Sequence, residues 1–263
     1  MLLSTRGDKM VVEDYSIQEL IAVVFARDIQ DGELGILGAA AVIPMAACRL
    51  AQRMHAPNMN WISGGSGCVN PRDSLIASSS SYRASHGADA YLRLEDVSAI
   101  ENRRIDFFFA GGIQCDPYGN LNLVCVGDWK LPKFRAPGSI GLVFLPRAKR
   151  FYIYTISHNP RFFVETLNFR SGIGFLCGQE EWEKANFPGG GPSLVVTDIA
   201  TLDFDPQSLR MRLKTVHPGK TIEEIQEKTG FDLVVSDNVP ETQPPSEEEL
   251  AILRKIDANR FLH

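Results

Sequence analysis

The sequence predicts an α/β protein: an open, largely parallel sheet sandwiched by helices, with a β meander in its C-terminal third. Three patterns carry this expectation. In the first sixty residues, segments of helical periodicity alternate with short apolar runs, the order of a right-handed βαβ crossover. In the middle, Ile105-Asp106-Phe107-Phe108-Phe109-Ala110 and the run Phe151 to Ile156 are short, apolar and rich in aromatic and β-branched residues, as strands are. Beyond residue 190, the runs Leu194 to Thr197, Thr201 to Phe204 and Arg210 to Val216 follow one another closely, and Asp205-Pro206 marks a sharp turn between two of them.

Along the chain, Ser16-Ile17-Gln18-Glu19 is a capping box, and Ile17, Leu20, Ile21, Val24 and Phe25 recur at helical spacing behind it, so a helix is expected to about Asp28. Leu34 to Gly38 reads as a buried strand, and the small residues Ala39 to Ala41 lead through Pro44 into a helix from Met45 to Met54. Its Arg49 and Arg53 are expected on an outer face, with Ala47, Leu50 and Ala51 inward. Asn60-Trp61-Ile62 is the next strand, ending in the loop Ser63-Gly64-Gly65-Ser66-Gly67-Cys68. From Asn70 to Glu101 the chain is polar and irregular. Its serine run, Ser78 to Ser81, reads as a linker or solvated loop, and His86 as an exposed or satisfied histidine. Leu121, Leu123 and Cys125 alternate with Asn122 and Val124, a strand pattern, and Gly172 to Gly191 is loop-rich. Thr221-Ile222-Glu223-Glu224 opens a helix ending at Gly230, Pro240 to Pro245 is an extended connector, and Ser246-Glu247-Glu248-Glu249 opens a last helix with Leu250, Leu253 and Ile256 inward. Residues 1–15 read as an N-terminal extension, with Met10 an alternative start, and 16–263 as one domain.

Composition narrows the function classes. Hydrophobic residues make up 44% and charged residues 22%, ordinary for a soluble globular chain, and a net charge of −5 argues against general nucleic-acid binding. No window approaches the roughly 18–20 apolar residues of a membrane span. Five cysteines, at 48, 68, 115, 125 and 177, fit neither a metal-ligand spacing nor a secreted disulfide framework, so no metal is expected and the reduced cytoplasm is the expected compartment.

The stretch most suggestive of a site runs from Gly111 to Gly141, GGIQCDPYGNLNLVCVGDWKLPKFRAPGSIG. It concentrates glycine, proline, Asn and Asp between apolar runs, as a layer that brings backbone close to a ligand does. Gly138-Ser139-Ile140-Gly141 would let peptide N–H groups converge on an anionic oxygen before the apolar run Leu142 to Leu145. The loop Ser63 to Cys68, at a strand's carboxyl end, is the second candidate wall. Ser66 lacks the nucleophile-elbow spacing because Cys68 stands at its last glycine position, and Cys68 is expected to be buried and inert rather than a thiolate nucleophile. Lys130, Lys133, Arg135, Arg147, Lys149 and Arg150 form a locally basic stretch that could hold the phosphates of coenzyme A or a substrate carboxylate, or simply face solvent; Arg103-Arg104 stands separately, before the strand from Ile105.

The string from Gly111 to Gly141 closely resembles the β subunits of family I coenzyme A transferases, of the glutaconate CoA-transferase type. The resemblance extends over nearly the whole chain, through Asp31-Gly32, His55-Ala56-Pro57, Val195-Val196-Thr197-Asp198 and Thr229-Gly230-Phe231-Asp232-Leu233. It implies an open α/β domain paired with a homologous α subunit as a heterodimer or α2β2 heterotetramer, the site between them. It also implies that coenzyme A enters as part of the substrate, with no permanently bound cofactor. In ordinary members the strand before the first glycine loop ends in a glutamate that attacks the acyl thioester. The matching position here is Ile62, followed by Ser63-Gly64, and a hydrocarbon side chain has no lone pair for that attack.

Relatives without the glutamate include a steroid-ring-opening CoA hydrolase and a methylglutaconyl-CoA decarboxylase. The resemblance therefore implies hydrolytic or decarboxylating chemistry on a carboxylated acyl-CoA, its thioester held by amides of Gly64, Gly65, Gly138, Ser139, Ile140 and Gly141. Ser63, Gln114 and Asp116 would be polar orienting groups, with the base on the α subunit. Two other readings remain: true CoA transfer with a carboxylate from another loop or from the partner, and a non-catalytic acyl-CoA-binding scaffold.

Overall fold

The computed structural model describes residues 14–101 and 105–263; the alternative start at Met10 and Arg103-Arg104 lie outside them. The chain opens with α1 (Ile17–Asp28), capped as expected: the Ser16 hydroxyl accepts from the Glu19 amide and the Glu19 carboxylate accepts from the Ser16 amide, an arrangement contributing about 1 kcal/mol. Then come β1 (Leu34–Leu37), α2 (Val42–Met54), β2 (Asn60–Ser63), β3 (Cys68–Val69), β4 (Ala90–Tyr91), α3 (Leu94–Glu101) and β5 (Ile105–Ala110). The middle of the chain forms β6 (Gln114–Cys115), β7 (Leu121–Asn122), β8 (Cys125–Gly127), β9 (Pro132–Arg135), a 3-10 helix Ile140–Arg147, and β10 (Ala148–Tyr154). It ends with α4 (Gln179–Ala185), β11 (Pro192–Val196), β12 (Ala200–Phe204), β13 (Met211–Val216), α5 (Ile222–Glu227), β14 (Val234–Val235) and α6 (Glu247–Ile256).

Ten strands form one sheet in the order β14-β13-β12-β11-β10-β5-β1-β2-β3-β4. The centre is parallel, β2 on β1, β1 on β5, β5 on β10 and β10 on β11, and the predicted meander is the antiparallel set β11-β12-β13. Because side chains alternate between faces, each central strand contributes to two cores. Leu37, Trp61, Phe107, Phe109 and Tyr152 pack under α1, α2 and α6, while Ile36, Ile62, Phe108, Phe151 and Ile153 pack under the loop layer with Leu142, Leu145, Phe163 and Ile225. Bidentate pairing of Arg27 with Glu249, both contacts at 2.8 Å, ties α1 to α6. Among the described residues no helix is long and apolar enough to cross a membrane.

Several expectations need correction. The serine run is only partly solvated: Ser80 is exposed, but Ser79 is fully buried, and the hydroxyls of Ser78 and Ser79 each donate to the Ala39 carbonyl at 2.8 Å, satisfying backbone acceptors just past β1. The irregular segment around it contains α3 and a 3-10 turn, Tyr82–Ser85. Arg49 is 7% exposed, not outward, because its guanidinium donates to the carbonyls of Arg72 and Asp73. The strand expected from Leu121 to Cys125 breaks after Asn122, whose side-chain oxygen accepts from the Val124 and Cys125 amides in place of a ladder partner. The basic stretch does not form one patch. Lys149 pairs with Asp106 at 2.6 Å and Arg150 with Glu33 at 2.6 Å, whereas Lys133 and Arg135 lie on β9 in the β8–β9 hairpin, where Arg135 stacks over Trp129.

Candidate active site

Parallel pairing places the carboxyl ends of β1, β2, β5 and β10 at one edge of the sheet, where ligands gather in open α/β sheets. The first glycine loop follows β2 there. Its Gly64 amide donates to the Leu37 carbonyl at 3.0 Å, and the amides of Ser66 and Gly67 turn back to the Ser63 carbonyl at 3.1 and 2.7 Å. The Ser63 side chain is fully buried and donates to the Ser79 carbonyl at 2.5 Å. Glycine is required by packing: a Cβ on Gly64 would sit 2.5 Å from the Leu37 carbonyl oxygen, and one on Gly67, whose φ is +72°, would sit 2.0 Å from that of Leu92. Of this loop's two candidate donors, only the Gly65 amide has no hydrogen bond among the described residues. Cys68 is buried, its sulfur 3.9 Å from the Ser66 carbonyl.

The second loop is built differently. Gly138, at φ +104°, donates its amide to the Leu123 carbonyl at 2.9 Å and has open space where a side chain would stand. After it the 3-10 helix begins, and the amides of Ser139, Ile140 and Gly141 make no hydrogen bond among the described residues. They are the orphan donors of a helix start. Ile140 adopts φ +45° and is 59% exposed, and Gly141 lies against the Phe108 ring, the distance from its would-be Cβ to that ring being 3.0 Å. Of the six amides expected to form an oxyanion hole, those of Gly64 and Gly138 are thus already committed to Leu37 and Leu123; Gly65, Ser139, Ile140 and Gly141 retain theirs.

Ile62 points to the same face as Phe108. It pairs in register with Ile36, and Ile36 with Phe108, so Ile62 and Phe108 are two strand spacings apart, about 10 Å. Ile62 is 1% exposed and belongs to the hydrophobic cluster that includes Ile36 and Phe108.

Gln114 and Asp116 follow the carboxyl end of β5, and their side chains are held by neighbouring residues. The Gln114 side-chain oxygen accepts from Asn122 at 2.7 Å and from the Asn168 amide at 3.1 Å. Asp116 accepts from the amides of Tyr118 and Asn120, both at 3.0 Å, and from the Asn120 side chain at 2.8 Å. Burial raises the Asp116 pKa against the opposing pull of these bonds. Asp116 and Asn120 close the turn between β6 and β7, while Gln114 ties β6 to Asn122 and Asn168. The string Gly119-Asn120-Leu121-Asn122 was the available signal for that network, since Asn side chains in turns bond nearby backbone.

Residues 18–228 match the family model described as coenzyme A transferase. The chain is 28% identical to the B subunit of the 3-oxoadipate CoA-transferase of Pseudomonas knackmussii, over 93% of this chain and 94% of that one. It is 30% identical to the B subunit of the glutaconate CoA-transferase of Acidaminococcus fermentans, over 92% of each. The crystal structure of glutaconate coenzyme A-transferase from that organism superposes with a TM-score of 0.83 at 29% identity, covering 95% of this chain and 98% of that one. A cholesterol ring-cleaving hydrolase IpdB subunit of Rhodococcus jostii is 23% identical over 82% of each chain.

Proposed function

This chain belongs to the coenzyme A transferase family, and from that premise we propose that it is the β subunit of a heteromeric enzyme that acts on a carboxylated acyl-CoA without a covalent glutamyl intermediate. The observation that carries the reading is Ile62, a hydrocarbon side chain buried in the hydrophobic cluster under the loop layer, at the position that the resemblance matches to the attacking glutamate. Acyl exchange through an enzyme-bound anhydride needs a carboxylate there. Attack by water or loss of CO2 does not: in each, an electron pair moves onto the thioester oxygen and a proton is later returned. The amides of Ser139, Ile140 and Gly141, and that of Gly65, are free to stabilise that oxygen.

In this reading the base comes from the α subunit, which packs over the exposed Ile140 and Val143 beside the loop and completes the site. Coenzyme A enters with the substrate, and no resident cofactor takes part. Ser63, held at the strand end by Ser79, and Gln114 and Asp116, held by Asn122 and Asn120, are the polar orienting groups this chain supplies.

True transfer is the second reading, favoured by the two relatives named as CoA-transferase subunits. The experiment that separates them is a borohydride or hydroxylamine trap on the purified pair incubated with a panel of dicarboxylic acyl-CoA thioesters. Release of free CoA or CO2 with no adduct on either subunit is expected; a trapped glutamyl derivative would establish transfer instead.

A further inference from the structure

At the opposite, amino-terminal edge of β2 lies a cavity of about 470 Å³, with Arg49, Arg53 and Arg72 among its lining residues and Asp89 as the one carboxylate. Its charge is set against a chain of net charge −5. Asp89 is already committed, paired with Arg72 at 2.6 Å and bonded by Asn70 at 3.0 Å. Arg49 is almost fully buried, yet its guanidinium bonds only main-chain carbonyls, and among the described residues no carboxylate stands within ion-pair distance. Arg53 follows it by one helical turn on α2, is exposed, and makes no hydrogen bond or ion pair among the described residues. Two like charges four residues apart on a helix repel, and a buried unpaired charge is costly. Burial and the neighbouring Arg53 lower the Arg49 pKa to about 10, against a smaller opposing pull from the Asp73 carboxylate.

We propose that this cavity is a binding site for a phosphate group. Arginine forks from α2 and from the segment after β3 surround one space, which suits a tetrahedral dianion with several acceptor oxygens better than a single carboxylate. The cavity is larger than an isolated phosphate, so the group can be free or the end of a nucleotide. The site lies across the sheet from the glycine loops and is independent of the acyl-CoA reading.

The test is calorimetric and thermal titration of the full chain, alone and with its partner subunit, using inorganic phosphate and ADP. Acetate and sodium chloride at matched ionic strength serve as controls. Phosphate is expected to raise the melting temperature where the controls do not, and Arg53→Gln to weaken its binding at least tenfold while Arg161→Gln does not. Similar affinity for phosphate and ADP identifies the free anion, and ADP binding ten times tighter identifies a nucleotide. Arg53 is exposed and unbonded, so its substitution leaves the fold intact, and circular dichroism checks this. Equal stabilisation by acetate or chloride, phosphate binding unchanged in Arg53→Gln, or loss of phosphate binding once the partner subunit is present would each overturn the proposal.

Discussion

The two glycine loops look alike as strings and are opposites as structures. In the first, after β2, Gly64 and Gly67 are there because neighbouring carbonyls leave no room for a Cβ, and its turn is closed by bonds to Leu37 and Ser63. In the second, Gly138 has empty space beside it and its positive φ turns the chain so that three successive amides stay unpaired. Glycine thus marks two needs, close approach of main chain to main chain and an unusual backbone angle. Only the second loop leaves several donors for something outside the chain.

This contrast can be broken or sharpened by substitution. The largest effect is expected from Gly67→Ala, which combines a left-handed angle with a 2.0 Å clash against the Leu92 carbonyl. It should lower stability by roughly 3–5 kcal/mol in urea unfolding. A value below about 1 kcal/mol would mean that the first loop is looser than its contacts imply. Ser139→Pro tests the other loop. Ser139 already has φ −65°, the angle proline imposes, so the change deletes one free N–H without bending the chain. In the purified pair kcat should fall about 10²- to 10³-fold with little change in melting temperature; unaltered turnover would remove this amide from the chemistry.

Acid should act on neither loop but on the hydrogen-bonded end of the meander. There His158 bonds Thr197 and Thr229, and His217 bonds Thr242 and donates to the Thr197 carbonyl. Burial, foremost, holds their pKa values down at about 3 and about 4. The unfolded chain takes up both protons near pH 6.5 while the folded chain does not. The stability from these neutral rings is therefore complete above pH 6.5 and is lost as pH falls toward 4, by up to about 1.4 kcal/mol per pH unit for each histidine. Denaturation midpoints of His217→Gln against the parent chain measure this slope, which should flatten in the variant. The smallest effect is expected from Cys68→Ala. With its thiol buried in the first loop, kcat should stay within about twofold and stability should drop by about 1 kcal/mol.

Much of the fold was legible because its signals are local. The capping boxes at Ser16 and Ser246, the buried runs at 34–37, 60–63 and 105–110, and the turn at Asp205-Pro206 each depend on residues within a few positions. What escaped depends on distant partners. The serine run serves carbonyls near residue 39, some forty positions away, and Arg49 serves carbonyls more than twenty positions on. The site divides in the same way. The need for glycine at Gly64 and Gly138 is readable from the string, but which amides stay free depends on where Leu37 and Leu123 place their oxygens. Gln and Asp beside glycine suit a ligand and a turn equally well, and the asparagine partners that hold Gln114 and Asp116 were not singled out in the string.

The sheet is wide, yet its two outermost members, β4 and β14, are only two residues long. So brief an edge offers an incoming extended segment almost no ladder on which to register, which blunts the main route by which broad sheets polymerise into fibres. Growth by strand addition is thereby disfavoured at both flanks.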